Sequence, residues 1–324
     1  MTIILVSHRI EEIIAVSDTV MVIRDGDPVY LSSRKEEFSP ERIAREIIGY
    51  HYDFSERFKE SSMRDEDVVL RYRDFSVYRQ NEPIRNLNLD VYRGEIIGIT
   101  GMNGHGKNAL AYGTLGVDKT EGMAVLCADN QEITIKNTTQ AISSGMVFVT
   151  EERRKNGLLL ERSVGDNVNF YIKYFKHDLD SLCLGKLRFF SHAKEKAKAE
   201  QAISDYDVVC ASWEQPIREL SGGNQQKVAL ARAILMNPKV LFINEPTRGI
   251  DIKSKENILN MLAQLNQQEG TTIILASGDI DELKKICDRI CVFYEGKLVQ
   301  ILSHDADSEA FAKAFSGMRE EDGE

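Results

Sequence analysis

With 324 residues and 42% apolar side chains, the chain has room for one large domain plus a piece, or for two domains with proper cores. A formal charge of -10 argues against a nucleic-acid surface as the main partner, since counterion release needs clustered Lys and Arg. No apolar run is long enough to span a bilayer, the first residues lack a signal-peptide layout, and the five scattered cysteines (Cys127, Cys183, Cys210, Cys287, Cys291) lack metal spacing and suit a reducing compartment.

The opening segment reads like the end of a domain. Residues Ile3 to His8 (IILVSH) match Ile273 to Gly278 (IILASG) at an offset of 270, and Asp18 then meets Asp288 and Gly26 meets Gly296. Each copy closes with an apolar strand, a two-residue turn and a second apolar strand. Ser39 to Ile48 predicts a short helix with Ser39 as N-cap and Pro40 at its first position. The polar stretch Tyr50 to Asp67 reads as a linker.

Alternating segments at Val68 to Tyr78 and Leu87 to Val91 predict an antiparallel lead-in sheet, followed by a buried strand at Glu95 to Thr100. Directly after it, Gly101 to Asn108 spells G-x-x-x-x-G-K followed by Asn where a P-loop has Ser or Thr. Gly101, Gly104 and Gly106 permit a tight anion nest that also includes Asn103, and Lys107 reaches the β- and γ-phosphates as a point charge. Another short strand, Met146 to Thr150, runs into Glu151 to Asn156, and Ser163 to Asp205 predicts a mainly helical insertion.

The stretch Leu220 to Asp251 combines a Gly-rich helix start, a helix stopped at Asn237-Pro238, and a strand from Val240 to Ile243 that delivers Asn244 and Glu245. A helix N-terminus attracts anions, and a carboxylate at a strand end can orient water. Lys227 to Leu235 and Ile258 to Leu265 supply further helices, with Thr271 to Ser277 as the next strand.

Together LSGGNQQK, EPTRGID and the Glu151 to Val168 segment EERRKNGLLLERSVGDNV resemble the ATP-binding subunit of ATP-binding-cassette importers, specifically the tandem-cassette type serving monosaccharides such as ribose, xylose and galactosides. The resemblance implies an α/β P-loop cassette with a mixed central sheet, an antiparallel lead-in β-subdomain and a helical arm, preceded by a strand-helix-hairpin fragment of a first cassette. The expected division is 1–49 for that fragment, 50–67 for the linker, 68–310 for the second cassette with its arm at about 160–220, and 311–324 for an acidic tail.

By the same resemblance the substrate is ATP with Mg²⁺, Tyr78 stacks on adenine, and Glu151 stands where the γ-phosphate is sensed. Ser221, Gly222, Gly223 and Gln225 contact a nucleotide held by another P-loop, Glu245 is the general base, Asp251 links two sites, and His8 is the switch histidine of the first cassette. Expected partners are transmembrane permease subunits docking at Glu151 to Asn156, a complementary or first cassette, and indirectly a periplasmic or extracellular solute-binding protein, with no nucleic acid. The expected place is the cytoplasmic face of the membrane, and the beginning at Met1 reads as a truncated or split subunit.

Three departures bear on mechanism. Asn108 replaces the magnesium-binding Ser or Thr, Asn244 the magnesium-linked Asp, and Gly278 the switch His. An amide oxygen lacks the negative charge that helps strip water from Mg²⁺, so weak magnesium handling is expected. The alternative reading is a non-hydrolysing nucleotide-binding regulatory module or a decayed gene fragment.

Overall fold

The computed structural model describes residues 2–6, 10–24, 27–39, 42–43, 46, 64–128, 131–176, 178–184 and 187–318. His8 and residues 47–63, which carry most of the expected linker, lie outside the described residues.

The first unit comprises helix α1 (Ile10–Val16) and the antiparallel hairpin β1 (Val20–Arg24) and β2 (Asp27–Ser32). Residues 2–6, the first half of the repeat, are described without strand structure. Val20, Val22, Tyr30, Phe38 and Ile43 make a small core, and the N–H of Arg42 donates to Ser39 Oγ at 3.1 Å, which places Ser39 as the cap predicted for it. Met21 and Ile23 point outward at 54% and 59% exposure, whereas their repeat counterparts Cys291 and Phe293 are fully buried. Similar strand patterning thus reaches two burial states: among the described residues β1 pairs with its hairpin partner alone, whereas the strand of the second copy is flanked on both sides within a six-stranded sheet.

From Arg64 the chain builds two sheets. The first contains β3 (Arg64–Val77) and β4 (Ile84–Arg93), then receives β6 (Thr120–Ala128) and β7 (Gln131–Thr134), in the antiparallel order β4-β3-β6-β7. Between them the chain leaves for β5 (Ile96–Gly101), a strand of the second sheet, and helix α2 (Ala109–Thr114). Helix α3 (Thr138–Ser143) leads into β8 (Met146–Val149).

The arm holds α4 (Val164–Phe175) and α5 (His192–Asp205), capped by Ser163 and Ser191. It is not wholly helical: β9 (Asp180–Leu184) and β10 (Leu187–Phe190) form a hairpin between these helices. Then follow α6 (Gly222–Ile234), β11 (Val240–Asn244), α7 (Ile252–Glu269), β12 (Thr272–Ala276), α8 (Ile280–Ile286), β13 (Arg289–Tyr294), β14 (Lys297–Ser303) and α9 (Ser308–Phe315).

The second sheet runs β14-β13-β5-β12-β11-β8, parallel except for β14. Its strands read as continuous apolar runs because both faces are covered. Leu241, Ile243, Ile273 and Leu275 face the core shared with α6, α7 and α8, while Val240, Phe242, Ile274 and Ala276 face the one shared with the lead-in sheet and α2. Parallel pairing sends the carboxyl ends of β5, β12, β11 and β8 to one edge, where open α/β sheets bind ligands. That edge carries the loop after Gly101, then Gly278, Glu245 and Glu151 in spatial order.

Candidate nucleotide site

The Gly-rich loop and the strand-end acid meet although 138 positions of sequence separate Lys107 from Glu245. Lys107 Nζ lies 2.7 Å from Glu245 Oε1, with the lysine side chain only 6% exposed. Glu245 has a left-handed backbone with φ at 46°, and its N–H donates to Ala276 O at 2.7 Å. A non-glycine residue held there carries local strain, which clusters at functional sites. The N–H of Gly278 donates to Glu245 Oε1 at 3.1 Å, so the position expected for a switch histidine contributes main chain alone.

The two asparagines also meet. Nδ2 of Asn244 donates to the Asn108 carbonyl at 3.0 Å and to Glu151 Oε2 at 3.2 Å. Asn108 Nδ2 donates to Glu82, and Asn108 Oδ1 is buried without a hydrogen-bond partner. Glu151 further accepts from Tyr112 Oη at 3.1 Å, and burial pushes that phenol up from its ordinary value. Arg79 covers the Tyr112 ring at 3.5 Å and pairs with Asp118 at 2.8 Å and Glu151 at 3.9 Å.

Tyr78 stands just past the end of β3, 53% exposed, its hydroxyl donating to Glu121 at 2.6 Å. Gly104 and Gly106 both adopt positive φ, and a Cβ at Gly106 would lie 2.8 Å from the Pro83 carbonyl. Asn103 lies in this loop on its exposed side.

Ser221 caps α6, accepting from the Asn224 N–H at 3.4 Å. Gly222 packs against Arg153, and Gly223 faces Ser254 at the start of α7, so a side chain at either position would collide. Gln225 is wholly buried and donates to the carbonyls of Ile217 and Leu220, each at 3.1 Å, which turns it inward. Asp251 caps α7, accepting from Ser254 N at 2.9 Å and Ser254 Oγ at 2.7 Å. Burial works against its charge, yet these bonds outweigh it and hold the carboxyl below its ordinary value.

The segment that follows β8 is joined to this edge by Arg153, which donates to Arg248 O at 2.9 Å, and by Arg154, which donates to Gln225 Oε1 at 3.2 Å. Behind the segment from Thr150 to Gly157, a cavity of about 280 Å³ is lined by residues including Leu115, Ile142, Phe148, Asn156, Tyr171 and Arg232. Sequence reading missed Glu82, Arg79 and Arg232, which belong to no spaced chemical pattern, and gave Thr247 no role although it lies within EPTRGID. Arg232 donates to the Gly157 carbonyl and is held below its ordinary pKa chiefly by burial. Thr247 donates to Glu282, whose carboxyl burial pushes up although Lys255 lies 3.0 Å away.

A family model described as ABC transporter matches residues 84–248. The chain belongs to the ABC transporter family, and its fold is that of an ABC ATPase cassette. Within that family it is similar to the xylose import ATP-binding protein XylG of Moorella thermoacetica, 31% identical over 312 residues that make up 95% of this chain and 59% of the relative. It is 33% identical to the ribose import ATP-binding protein RbsA of Oceanobacillus iheyensis, over 96% of this chain and 60% of that protein. The chain therefore spans about 60% of the length of these curated relatives. Among solved structures, the cassette cbiO1 from Clostridium perfringens, part of the ABC transporter complex cbiONQ, superposes with a TM-score of 0.57 at 26% identity, over 77% of this chain and 93% of that one. The dimeric cassette MJ0796 bound to ADP and phosphate gives a TM-score of 0.61 at 22% identity, over 74% of this chain and 100% of that one, and shares the fold. Among the described residues, no helix is long and apolar enough to cross a membrane.

Proposed function

We propose that this chain is an energy-coupling, ATP-binding subunit of an importer for a monosaccharide or related solute, acting at the cytoplasmic face of the membrane. The observation that carries the reading is the convergence of Lys107 and Glu245 at 2.7 Å on the carboxyl edge of a parallel sheet, in a chain similar over nearly all its length to sugar-import ATP-binding proteins. The glycine loop and Lys107 suit a polyphosphate, and Tyr78 is exposed enough to stack on adenine. Glu245 is then the base that polarises the attacking water.

Residues 1–49 are read as the end of a first cassette and 68–310 as the second. Ser221 to Gly223 then serve a nucleotide held by the P-loop of a complementary cassette, with His8 and Asp251 belonging to that composite arrangement. The cavity beside Glu151 to Asn156 fits a docking element of a permease subunit, and a solute-binding protein acts through the permease.

The residues present fit Mg²⁺ poorly. Two neutral amides stand at the ligand positions; Asn244 aims its Nδ2 at Asn108 and Glu151, leaving Asn108 Oδ1 as the unpartnered oxygen. That orientation favours a second reading, in which this pocket binds nucleotide as a regulatory element without hydrolysing it. Calorimetric titration with ATP and a phosphate-release assay, each with and without Mg²⁺, test both. The transport reading expects ATP binding that Lys107→Ala weakens; no binding by either form would overturn it. Brisk magnesium-dependent turnover by the chain alone, abolished by Glu245→Gln, would overturn the second.

A further inference from the structure

We propose that Glu82 is a built-in occupant of the phosphate loop, a carboxylate that competes with the nucleotide's β-phosphate for the Asn108 N–H and thereby sets the affinity of this pocket. The inference rests on the reading of residues 101–108 as a nucleotide loop. In such a loop the anion is received by successive backbone N–H groups and by the lysine that ends the glycine run. Here both kinds of donor are engaged by the chain's own acids. The Asn108 N–H donates to Glu82 Oε1 at 3.1 Å, Asn108 Nδ2 donates to the two Glu82 oxygens at 3.2 and 3.5 Å, and Lys107 is paired with Glu245.

Glu82 does not reach this place by chance of a swinging side chain. The turn carrying it is clamped to the loop: the Asn81 carbonyl sits where a Cβ on Gly104 would be 3.2 Å away, and the Pro83 carbonyl is closer still to Gly106. On its far side the N–H of Arg85 donates to Gly296 O at 2.7 Å, which ties the turn to the β13–β14 hairpin as well. Asn81 holds φ at 63°, a left-handed conformation that bends the chain toward the glycines. Among the described residues no Lys or Arg lies within ion-pair distance of Glu82, so its partly buried carboxylate is met by the amides of Asn108. A half-buried carboxylate without a cation takes the strongest donors within reach, and N–H groups of an anion nest are such donors.

Two consequences follow from charge. A phosphate and the Glu82 carboxylate cannot accept from the same N–H, so one must leave. Once displaced, the carboxylate remains beside a triphosphate and repels it, a penalty that a neutral side chain at this position removes.

The test uses the full chain and titration calorimetry with ATP and with ADP, in the presence and absence of Mg²⁺. Glu82→Gln and Glu82→Ala are each expected to tighten binding of both nucleotides about tenfold, the factor set by a charge-assisted hydrogen bond exchanged against a neutral one. Thermal unfolding of each variant without nucleotide separates this from a purely structural cap, which predicts a lower midpoint together with weaker binding. Unchanged or weakened affinity in both variants, while Lys107→Ala still weakens it, overturns this inference alone. Absence of binding in every form, Lys107→Ala included, overturns the nucleotide reading and this inference with it.

Discussion

Asn244 at the end of β11 meets Asn108 at the start of α2, the Nδ2 of the first donating to the main-chain oxygen of the second at 3.0 Å. An aspartate at position 244 has no hydrogen to offer. It would set a carboxylate against that carbonyl and against Glu151, whose Oε2 accepts from the same amide at 3.2 Å. Asn244→Asp is therefore expected to destabilise the fold by about 1–3 kcal/mol without divalent metal, the cost of an unsatisfied buried acceptor. Millimolar Mg²⁺ should recover part of that loss in the variant and none in wild type. Equal unfolding midpoints for both proteins in chelator would refute the expectation.

Reverting all three departures addresses turnover. Asn108→Ser, Asn244→Asp and Gly278→His together should raise magnesium-dependent ATP turnover at least about tenfold if the lost ligands and histidine limit the chemistry. The single change Gly278→His acts differently. A Cβ there would come 2.9 Å from Lys107 Nζ, so the ammonium must shift and ATP binding should weaken. A phosphate-release assay showing no gain in the triple variant would place the limit in the partner half of the composite site.

Arg153 and Arg154 each have an intramolecular partner, Arg248 O and Gln225 Oε1. Reversing both charges should abolish co-purification with a permease subunit and loosen the segment from Glu151 to Gly157. The loss of stability should stay under about 2 kcal/mol, because each variant removes one partly exposed hydrogen bond. Intact assembly in a pull-down from membranes would count against docking at this segment.

Asp251 supplies a pH-dependent cap. Its carboxyl is held below the ordinary 3.8 in the folded chain by Ser254, so its contribution is present above that value and fades as pH falls through the lower folded value. Asp251→Ala should cost about 1 kcal/mol at neutral pH. The gap between variant and wild type should narrow near pH 3 in urea unfolding, and a gap independent of pH would show that the charge contributes nothing.

The sequence by itself determined the strands at 96–100, 146–149, 240–243 and 272–276, because an apolar run flanked by glycine or proline leaves few alternatives, and its motifs singled out Lys107 and Glu245, which the fold brings to 2.7 Å. It did not show the β9–β10 hairpin, whose short segments lie between two strong helix formers. Nor could it show that Met21 and Ile23 stay exposed while Cys291 and Phe293 are buried, since pattern is local and burial depends on neighbouring strands. Only the tertiary structure decided what stands beside the phosphate loop. Glu82 lies in a turn with no motif of its own, 26 positions before Asn108, and the packing of that turn on Gly104 and Gly106 puts its carboxylate on the loop's N–H. Spacing along a chain encodes which groups a motif brings, but the anion such a loop holds is settled by whatever the fold packs against it.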